Sequence, residues 1–368
     1  MAGFGANYLA SQFSDNNTII ANSIQLKNFI KSLSQEKIIS FDTEFMRHNT
    51  YWPVLCSIQM HTKNNSILID TLNREINLEP LKAILSDNKI LKIFHAHTQD
   101  LEILNNLFNI KISNIFDTQI AASFLGYDDQ ISYQKLVEKI LDIELDKKER
   151  ISDWSSRPLS KKQVIYALND VKYLYKLYKP LFEKLSREKK VDWMKEEMKL
   201  CVNNIFEKSE KQDNKYSVLY KKIYDFREKI AQKNNVPRKW IFEDKLIRDF
   251  IMSNDRKNLV MKLKSKFIDL SEKTNLYNFI EIYLQNNHII NNIRNKKLTS
   301  TQNKLLSKIS TYLDKTSIMY NVSRGLISNR KDIEEIILND YPDNKSLFGW
   351  RKEIFGNNAL IIKNGENL

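Results

Sequence analysis

The chain has 368 residues, of which 42% are hydrophobic, and it carries a formal net charge of +13 at pH 7. This length predicts two or three domains. No apolar run reaches bilayer length and no basic-then-apolar signal opens the sequence, so we expect neither a membrane-spanning nor a secreted protein. Two cysteines, Cys56 and Cys201, are too few for a disulfide scaffold or a zinc site, so we expect a cytoplasmic protein.

The first part of the chain alternates β-branched and aromatic runs with amphipathic stretches, which indicates an α/β layer with a mixed sheet. After residue 120 the strand signals fade, and the chain becomes helical, polar and Lys-rich. Strands are predicted at 18–20, 38–45, 54–60, 66–70 and 90–94, and helices are predicted to begin near Ser23, Leu78 and Thr98.

The strand predicted at 38–45 carries two acidic residues, Asp42 and Glu44, near its C-terminal end. Side chains two apart on a strand point to the same face, so these carboxylates should project together. Two adjacent carboxylates repel each other unless a cation lies between them. The strand therefore predicts one half of a cation site.

A third acidic residue, Asp100, follows the strand predicted at 90–94. Thr98 is the predicted N-cap of the next helix, which places Asp100 in the first helical turn. An acid at that position is also favoured by the helix dipole alone. Taken by itself, Asp100 does not require a site.

A long helix is predicted from Ser160, its expected cap, to about Lys179, and Pro180 is expected to end or kink it. Tyr166 and Asp170 are four residues apart and therefore share one face of this helix. A buried tyrosine next to a surface acid is the alternative interpretation of this pair.

The order and residue types of the three acidic motifs together indicate a metal site more specifically than any single motif does. Acids beside apolar neighbours are costly in an ordered strand or helix unless they are paired or bind a metal. A cluster of hard oxygen ligands suits Mg²⁺ or Mn²⁺ and favours phosphodiester cleavage assisted by two metal ions.

On these motifs the chain resembles the DEDD exonuclease superfamily in its tyrosine-bearing branch, and within it the ribonuclease D family. The similarity extends over most of residues 18–180 and implies a ribonuclease H-like fold. Further segments similar to that family are Tyr51-Trp52-Pro53, Ile58-Gln59, Phe116-Asp117-Thr118-Gln119, Leu145-Asp146-Lys147 and Asp153-Trp154-Ser155-Ser156-Arg157-Pro158-Leu159.

The resemblance implies hydrolysis of RNA from its 3′ end to nucleoside 5′-monophosphates. It implies that Asp42 bridges two divalent metal ions, that Glu44 and Asp170 complete one metal site, and that Asp100 helps to hold the other. Tyr166 would orient the attacking water, and it marks the tyrosine branch because a histidine occupies that role elsewhere in the superfamily.

Four further residues are candidate substrate contacts. The backbone near Thr43 is implied at the terminal sugar. His97 could approach the terminal nucleotide, cap the first turn of the helix or have only a surface role. Trp154 could stack a base or belong to the core, and Arg157 could hold a phosphate or form a structural ion pair. His97 and Gln99 depart from the family pattern, in which a small residue and an acid are expected.

The second half of the chain holds two similar helical stretches, one containing Asn235-Val236-Pro237-Arg238 and the other Asn321-Val322-Ser323-Arg324. They resemble the helicase-and-ribonuclease-D C-terminal (HRDC) domain, a small all-α nucleic-acid-binding module, with a boundary near Ser209–Asn214. We therefore predict an exonuclease domain at 1–208, a first HRDC-like domain at 209–294 and a second, degenerate one at 295–368.

The charge is divided unevenly between the two parts. Residues 1–150 have 15 basic and 18 acidic side chains, and residues 151–368 have 43 and 27. A basic part beside an acidic pocket suits a polyanion that is held by one part and cut by the other. A Lys-rich surface that only keeps a helical domain soluble fits the same numbers.

The resulting hypothesis is a monomeric, metal-dependent 3′-5′ exoribonuclease that acts in 3′ maturation of precursor tRNA and other structured RNA with single-stranded 3′ ends. No P-loop or Rossmann glycine pattern is present, so no nucleotide cofactor is expected. The alternatives are a proofreading-type DNA 3′-5′ exonuclease and a catalytically idle RNA-binding protein.

Overall fold

The computed structural model of the chain describes residues 17–146, 148–206, 215–264, 266–287, 298–339 and 344–365. The domain boundary predicted at Ser209–Asn214 lies outside the described residues. Lys147, the last residue of the motif Leu145-Asp146-Lys147, lies outside them as well. No helix within the described ranges has the length and apolar character needed to cross a bilayer.

Six strands form one sheet in the order β1-β4-β3-β2-β5-β6. β1 and β4 are parallel, β3 and β4 are antiparallel, and β5 lies parallel to both β2 and β6, so the predicted mixed sheet is confirmed. β6 was not predicted because its three residues are too few to show an alternating pattern. The strands are β1 Asn17–Ile20, β2 Ile38–Met46, β3 Val54–His61, β4 Ser66–Asp70, β5 Leu91–Phe94 and β6 Ile115–Asp117.

Seven α-helices accompany the sheet in the described residues between 17 and 206. The predicted helix near Leu78 begins at Leu81, since Leu78 instead accepts the hydrogen bond of the preceding turn. The helices are α1 Ser23–Ser32, α2 Leu81–Ser86, α3 Thr98–Phe108, α4 Thr118–Ser123, α5 Tyr133–Leu141, α6 Lys161–Arg187 and α7 Val191–Phe206, and two short 3₁₀ helices span Leu33–Gln35 and Lys148–Ile151.

Helix α6 is longer than predicted. Ser160 caps it through a capping box with Gln163, as expected, but the helix continues past Pro180 to Arg187. A proline inside a helix loses one backbone hydrogen bond and costs about 3 kcal/mol. Leu181 and Leu185 lie beyond it and are fully buried, and burial of such side chains offsets that cost.

The chain forms two compact units. The first consists of Met1–Phe45, Leu55–Glu207 and Leu298–Leu368, and the second of Met46–Val54 and Lys208–Lys297. The first unit is therefore discontinuous in sequence. Division of the chain into three domains with the boundaries given above stays a prediction.

The C-terminal helices share a hydrophobic core with the exonuclease part of the first unit. Trp350 is 1% exposed, stacks on Trp193 at 5.5 Å between ring centroids, and meets Phe124 edge-on at 4.9 Å. After residue 298 the helices are α13 Ser300–Tyr320, α14 Arg324–Ile327, α15 Arg330–Leu338, α16 Gly349–Arg351 and α17 Asn357–Lys363, with a 3₁₀ turn at Lys345–Leu347 and a π-helical turn at Lys352–Gly356.

The second unit is a helical bundle with its own core, which includes Leu219, Ile247, Phe250 and Ile280. The segment 46–54 belongs to it, because Tyr51 hydrogen-bonds to Glu228 and Gln232 of this unit. Its helices are α8 Lys215–Asn234, α9 Arg238–Ile241, α10 Asp244–Met252, α11 Arg256–Met261 and α12 Leu270–Asn287.

Candidate active site

Three of the four predicted carboxylates meet at one point. Asp42 and Glu44 lie two residues apart on β2 and face the same side, while Asp170 comes from α6. One carboxylate oxygen of each lies within 4.8 Å of those of the other two. Residues separated by more than 120 positions are thus brought together as the sequence predicts.

The fourth carboxylate, Asp100, is buried in the first turn of α3 and accepts a short hydrogen bond from the Thr43 hydroxyl. Thr43 lies between Asp42 and Glu44 on β2 but points to the opposite face. The expected cap is wrong by one residue, since α3 begins at Thr98 and His97 occupies the N-cap without a side-chain hydrogen bond.

Burial raises the pKa of every carboxyl in this cluster, and repulsion by the other carboxylates adds to the rise for Asp42 and Glu44. The pKa of Glu44 rises to about 9 through burial and repulsion from Asp170 and Asp100. Burial raises the pKa of Asp170 to about 7 and that of Asp100 to about 6, despite hydrogen bonds from Tyr166 and Thr43. The pKa of Asp42 lies well above its usual range because of burial and repulsion from the other three carboxylates.

This arrangement fits a divalent cation. Asp42, Glu44 and Asp170 offer only hard oxygen donors, and a shared cation would replace their repulsion by attraction. No soft sulfur or imidazole donor belongs to this ligand group among the described residues. The donor set therefore matches Mg²⁺ or Mn²⁺ better than zinc or copper.

Tyr166 lies one turn before Asp170 on α6, and its hydroxyl hydrogen-bonds to the Asp170 carboxylate. Its pKa is strongly raised, first by burial and then by repulsion from Asp170, Glu44 and Asp42. The phenol is consequently neutral and acts as a hydrogen-bond donor at any physiological pH.

Two of the candidate substrate residues are engaged in the protein itself. Trp154 is 2% exposed, and its ring packs against Tyr166 at 6.0 Å. Arg157 directs its five N–H groups at Asp70 and at the carbonyl oxygens of Trp154, Ser156 and Cys56. These contacts favour the core tryptophan and the structural ion pair over direct contact with RNA.

His97 is also buried, with 3% of its surface exposed. Its backbone N–H and Nδ1 both contact one carboxylate oxygen of Asp117, at 2.8 and 2.7 Å. The other oxygen of Asp117 caps α4 by accepting from the N–H groups of Gln119 and Ile120. His97 thereby joins the start of α3 to the start of α4, while its Nε2 has no partner in the described part of the chain.

Sequence reasoning missed one residue at this site. Tyr133, the first residue of α5, donates a hydrogen bond from its hydroxyl to the backbone oxygen of Asp170 at 2.5 Å. No local signal identifies such a contact, because its partner is a main-chain carbonyl 37 positions away.

Comparison with known proteins agrees with this geometry. Residues 17–186 match the profile of a 3′-5′ exonuclease family. A ribonuclease D of Gluconacetobacter diazotrophicus is 30% identical over 367 residues, covering 95% of this chain and 93% of that protein. A ribonuclease D of Granulibacter bethesdensis is 32% identical, with the same coverage of both chains.

The same fold occurs in a solved structure. The crystal structure of Escherichia coli RNase D, described as an exoribonuclease involved in structured RNA processing, superposes with a TM-score of 0.75 at 22% sequence identity. The match covers 96% of this chain and all of that one. The predicted ribonuclease H-like exonuclease fold is thereby confirmed.

Proposed function

Because the chain belongs to the ribonuclease D family of 3′-5′ exoribonucleases, we propose that it matures the 3′ ends of precursor tRNA and other structured RNA. The observation that carries the proposal is the convergence of Asp42, Glu44 and Asp170 within 4.8 Å, with Tyr166 hydrogen-bonded to the last of them. We further propose that the protein acts as a monomer in the cytoplasm.

We assign two divalent ions, Mg²⁺ or Mn²⁺, to the carboxylate cluster. Asp42, Glu44 and Asp170 would hold one ion, and Asp42 with Asp100 the other. When bound, such ions lower the pKa of water and neutralise charge on the phosphate and the leaving 3′-oxygen. Thr43 would keep Asp100 oriented through the hydrogen bond between their side chains.

Tyr166 orients the attacking water in this proposal. The raised pKa excludes the phenolate as a base, so the hydroxyl contributes by directing a hydrogen bond. Trp154 would support Tyr166 from behind by packing against its ring. His97 would fix the starts of α3 and α4 through Asp117, and Arg157 would fix its own loop to Asp70. The backbone around Thr43 would contact the terminal sugar of the RNA.

We assign the holding of the RNA body to the second unit, which we interpret as an HRDC-like module. Residues 256–266 contain five basic side chains and no acidic one. Trp240 is 42% exposed and stacks on Phe267, over which the Lys266 ammonium lies at 5.2 Å from the ring centroid. An aromatic pair beside basic side chains suits the stacking of unpaired bases.

The test is a time course on a tRNA precursor with a 3′ extension, in Mg²⁺, Mn²⁺ or EDTA, for the wild type and Asp42→Asn. We expect metal-dependent shortening from the 3′ end, release of 5′-monophosphates and an inert variant. A DNA oligomer of matched sequence serves as the competing substrate. Equal trimming of DNA, or RNA binding without any trimming, would reject the proposal.

A further inference from the structure

The Tyr133 hydroxyl contacts the main chain of α6 next to Asp170. It lies 2.5 Å from the Asp170 carbonyl oxygen and 3.2 Å from that of Asn169. The backbone N–H of Leu174 interacts favourably with the same hydroxyl oxygen and partly offsets the rise in its pKa that burial causes. A tyrosine hydroxyl can donate one hydrogen bond and accept another, so both interactions are possible at once.

The two backbone partners are those that a regular helix would join to each other. In an α-helix the N–H of residue 174 donates to the carbonyl of residue 170. Tyr133 therefore places its hydroxyl beside this backbone hydrogen-bond position of α6. Insertion of a side chain there is a recognised cause of local helix distortion. The carbonyl group at this position belongs to Asp170, whose side chain is one of the clustered carboxylates.

Tyr133 is itself held on its other side. Its ring meets His95 edge-on at 5.6 Å between centroids. His95 contacts the carbonyl oxygen of Ile131 through Nε2 at 3.1 Å and the hydroxyl of Thr118 through Nδ1 at 2.9 Å. A carbonyl only accepts, so Nε2 carries the hydrogen, and burial lowers the pKa of His95 and keeps the ring neutral.

This network links the second and third acidic motifs. His95 follows β5 and precedes the helix that carries Asp100, whereas Asp170 belongs to α6. Metal–oxygen distances must hold to within about 0.2 Å. The position of the Asp170 backbone relative to β2 therefore affects how well its carboxylate can bind the same ion as the carboxylates of β2. Groups that orient metal ligands commonly affect metal affinity or activity by 10- to 100-fold.

We propose that Tyr133 is a positioning residue, which fixes the backbone of α6 at Asp170 and thereby sets the distance of its carboxylate from those of Asp42 and Glu44. The inference rests on the proposed metal-dependent function of that cluster. Tyr133 would touch neither metal nor substrate in this role. Its single oxygen would act through the main chain.

The test uses Tyr133→Phe, which keeps the ring against His95 and removes only the hydroxyl. We expect the dissociation constant for Mn²⁺, measured by electron paramagnetic resonance without RNA, to rise about 10-fold. On a short single-stranded RNA oligomer, kcat at limiting Mn²⁺ should fall by a similar factor, with little change in KM. Raising the Mn²⁺ concentration should restore part of the lost rate.

The matched control is Tyr178→Phe, a residue of α6 whose ring packs against Phe116 at 4.9 Å between centroids. This variant should keep the wild-type Mn²⁺ affinity and kcat. All measurements are made at 15 °C, well below the melting temperature of each variant, which circular dichroism verifies. The comparison therefore separates loss of positioning from loss of stability.

Two outcomes would overturn the assignment. One is a Tyr133→Phe protein with the wild-type Mn²⁺ dissociation constant and kcat, whether or not it melts earlier. The other is a lower kcat with unchanged Mn²⁺ affinity and no response to added Mn²⁺. Failure of the wild type to bind Mn²⁺ or to trim RNA would instead reject the proposed function, so the two failures are distinct.

Discussion

The hydroxyl of Tyr166 hydrogen-bonds to the carboxylate of Asp170 one helical turn away, which joins a phenol to one of the three convergent carboxylates. This bond holds the phenol at the edge of the proposed metal site. The phenol stays neutral because burial raises its pKa, which suits orientation of a water molecule rather than proton abstraction.

Tyr166→Phe should therefore lower kcat by about 10- to 100-fold, the range expected for loss of one oriented hydrogen bond in the transition state. The Mn²⁺ dissociation constant should change little, because the phenol is not a ligand. Steady-state kinetics and Mn²⁺ titration check both values. Tyr173→Phe, on the same helix, is the control, and normal turnover by Tyr166→Phe would contradict the assigned role.

Asp42→Asn should abolish trimming and yet stabilise the metal-free protein. The substitution removes a buried carboxyl whose ionisation is opposed by burial and by repulsion from Asp100, Asp170 and Glu44. We expect a loss of about 3 kcal/mol or more in transition-state stabilisation. A gain of about 1 kcal/mol in folding free energy corresponds to a rise of about 2 to 4 °C in melting temperature.

Calorimetry in EDTA measures that rise, and Mg²⁺ should stabilise only the wild type. Glu102→Gln removes a negative charge from an exposed position on the same unit and is the control. A metal-free Asp42→Asn protein that melts below the wild type would show that the carboxylate stabilises the fold in another way.

Trp240→Ala should weaken binding of single-stranded RNA by the full-length protein. Loss of one stacked base costs about 1 to 3 kcal/mol, so the affinity should fall by about 5- to 150-fold. Fluorescence anisotropy at several salt concentrations measures it. The slope of affinity against salt should stay unchanged, since no charge is removed.

Ile282→Ala is the control for this measurement, because Ile282 is an exposed apolar residue of α12 in the same unit. It should bind RNA as the wild type does. Equal affinity of Trp240→Ala and the wild type would remove the aromatic pair from the proposed RNA surface.

Trp350→Ala should destabilise the first unit by about 3 to 5 kcal/mol, as expected when a buried aromatic side chain is truncated. Its ring packs on Trp193 and Phe124, so the effect should reach the exonuclease part of the core. Melting followed by near-ultraviolet circular dichroism measures it. Trp52→Ala, at a 39% exposed position, should change the melting temperature much less.

Acid should destabilise the protein partly through His61. Burial and then the nearby Lys172 and Lys176 lower the pKa of this imidazole to about 4. The unfolded chain binds a proton near pH 6.5 and the native state does not, so the stability contributed by neutral His61 is complete above pH 6.5. It is lost as the pH falls from 6.5 to about 4.

His61→Asn should therefore flatten the decline of unfolding free energy between pH 6.5 and 4 by about 1 to 2 kcal/mol, after allowance for solvent screening. Urea unfolding at a series of pH values measures the slope. His48→Asn, at an exposed position, is the control. An identical slope in His61→Asn and the wild type would reject the assignment.

The clustered acids could be predicted because each obeys a local rule. Asp42 and Glu44 follow the two-residue period of a strand, and Tyr166 and Asp170 the four-residue spacing of a helix. The sequence order of these motifs then supplied the family, the fold and the activity. Local periodicity sufficed where the functional side chains lie on regular elements.

Contacts between distant residues escaped prediction. Arg157 pairs with Asp70 across 87 positions, and no pattern in either segment signals the other. Likewise, the helix continues through Pro180 because buried leucines beyond it outweigh a local rule. Packing of the C-terminal helices into the exonuclease core involves ordinary apolar residues, so their helical periodicity gave no indication of the partner.

Because the first unit combines residues on both sides of the second, its biosynthesis is constrained. The hydrophobic cluster that the exonuclease part shares with the helices after residue 298 cannot be completed until those helices have left the ribosome, whereas the intervening helical unit has all its own residues earlier. A nascent chain thus completes the first unit only after the whole of the second unit has been synthesised.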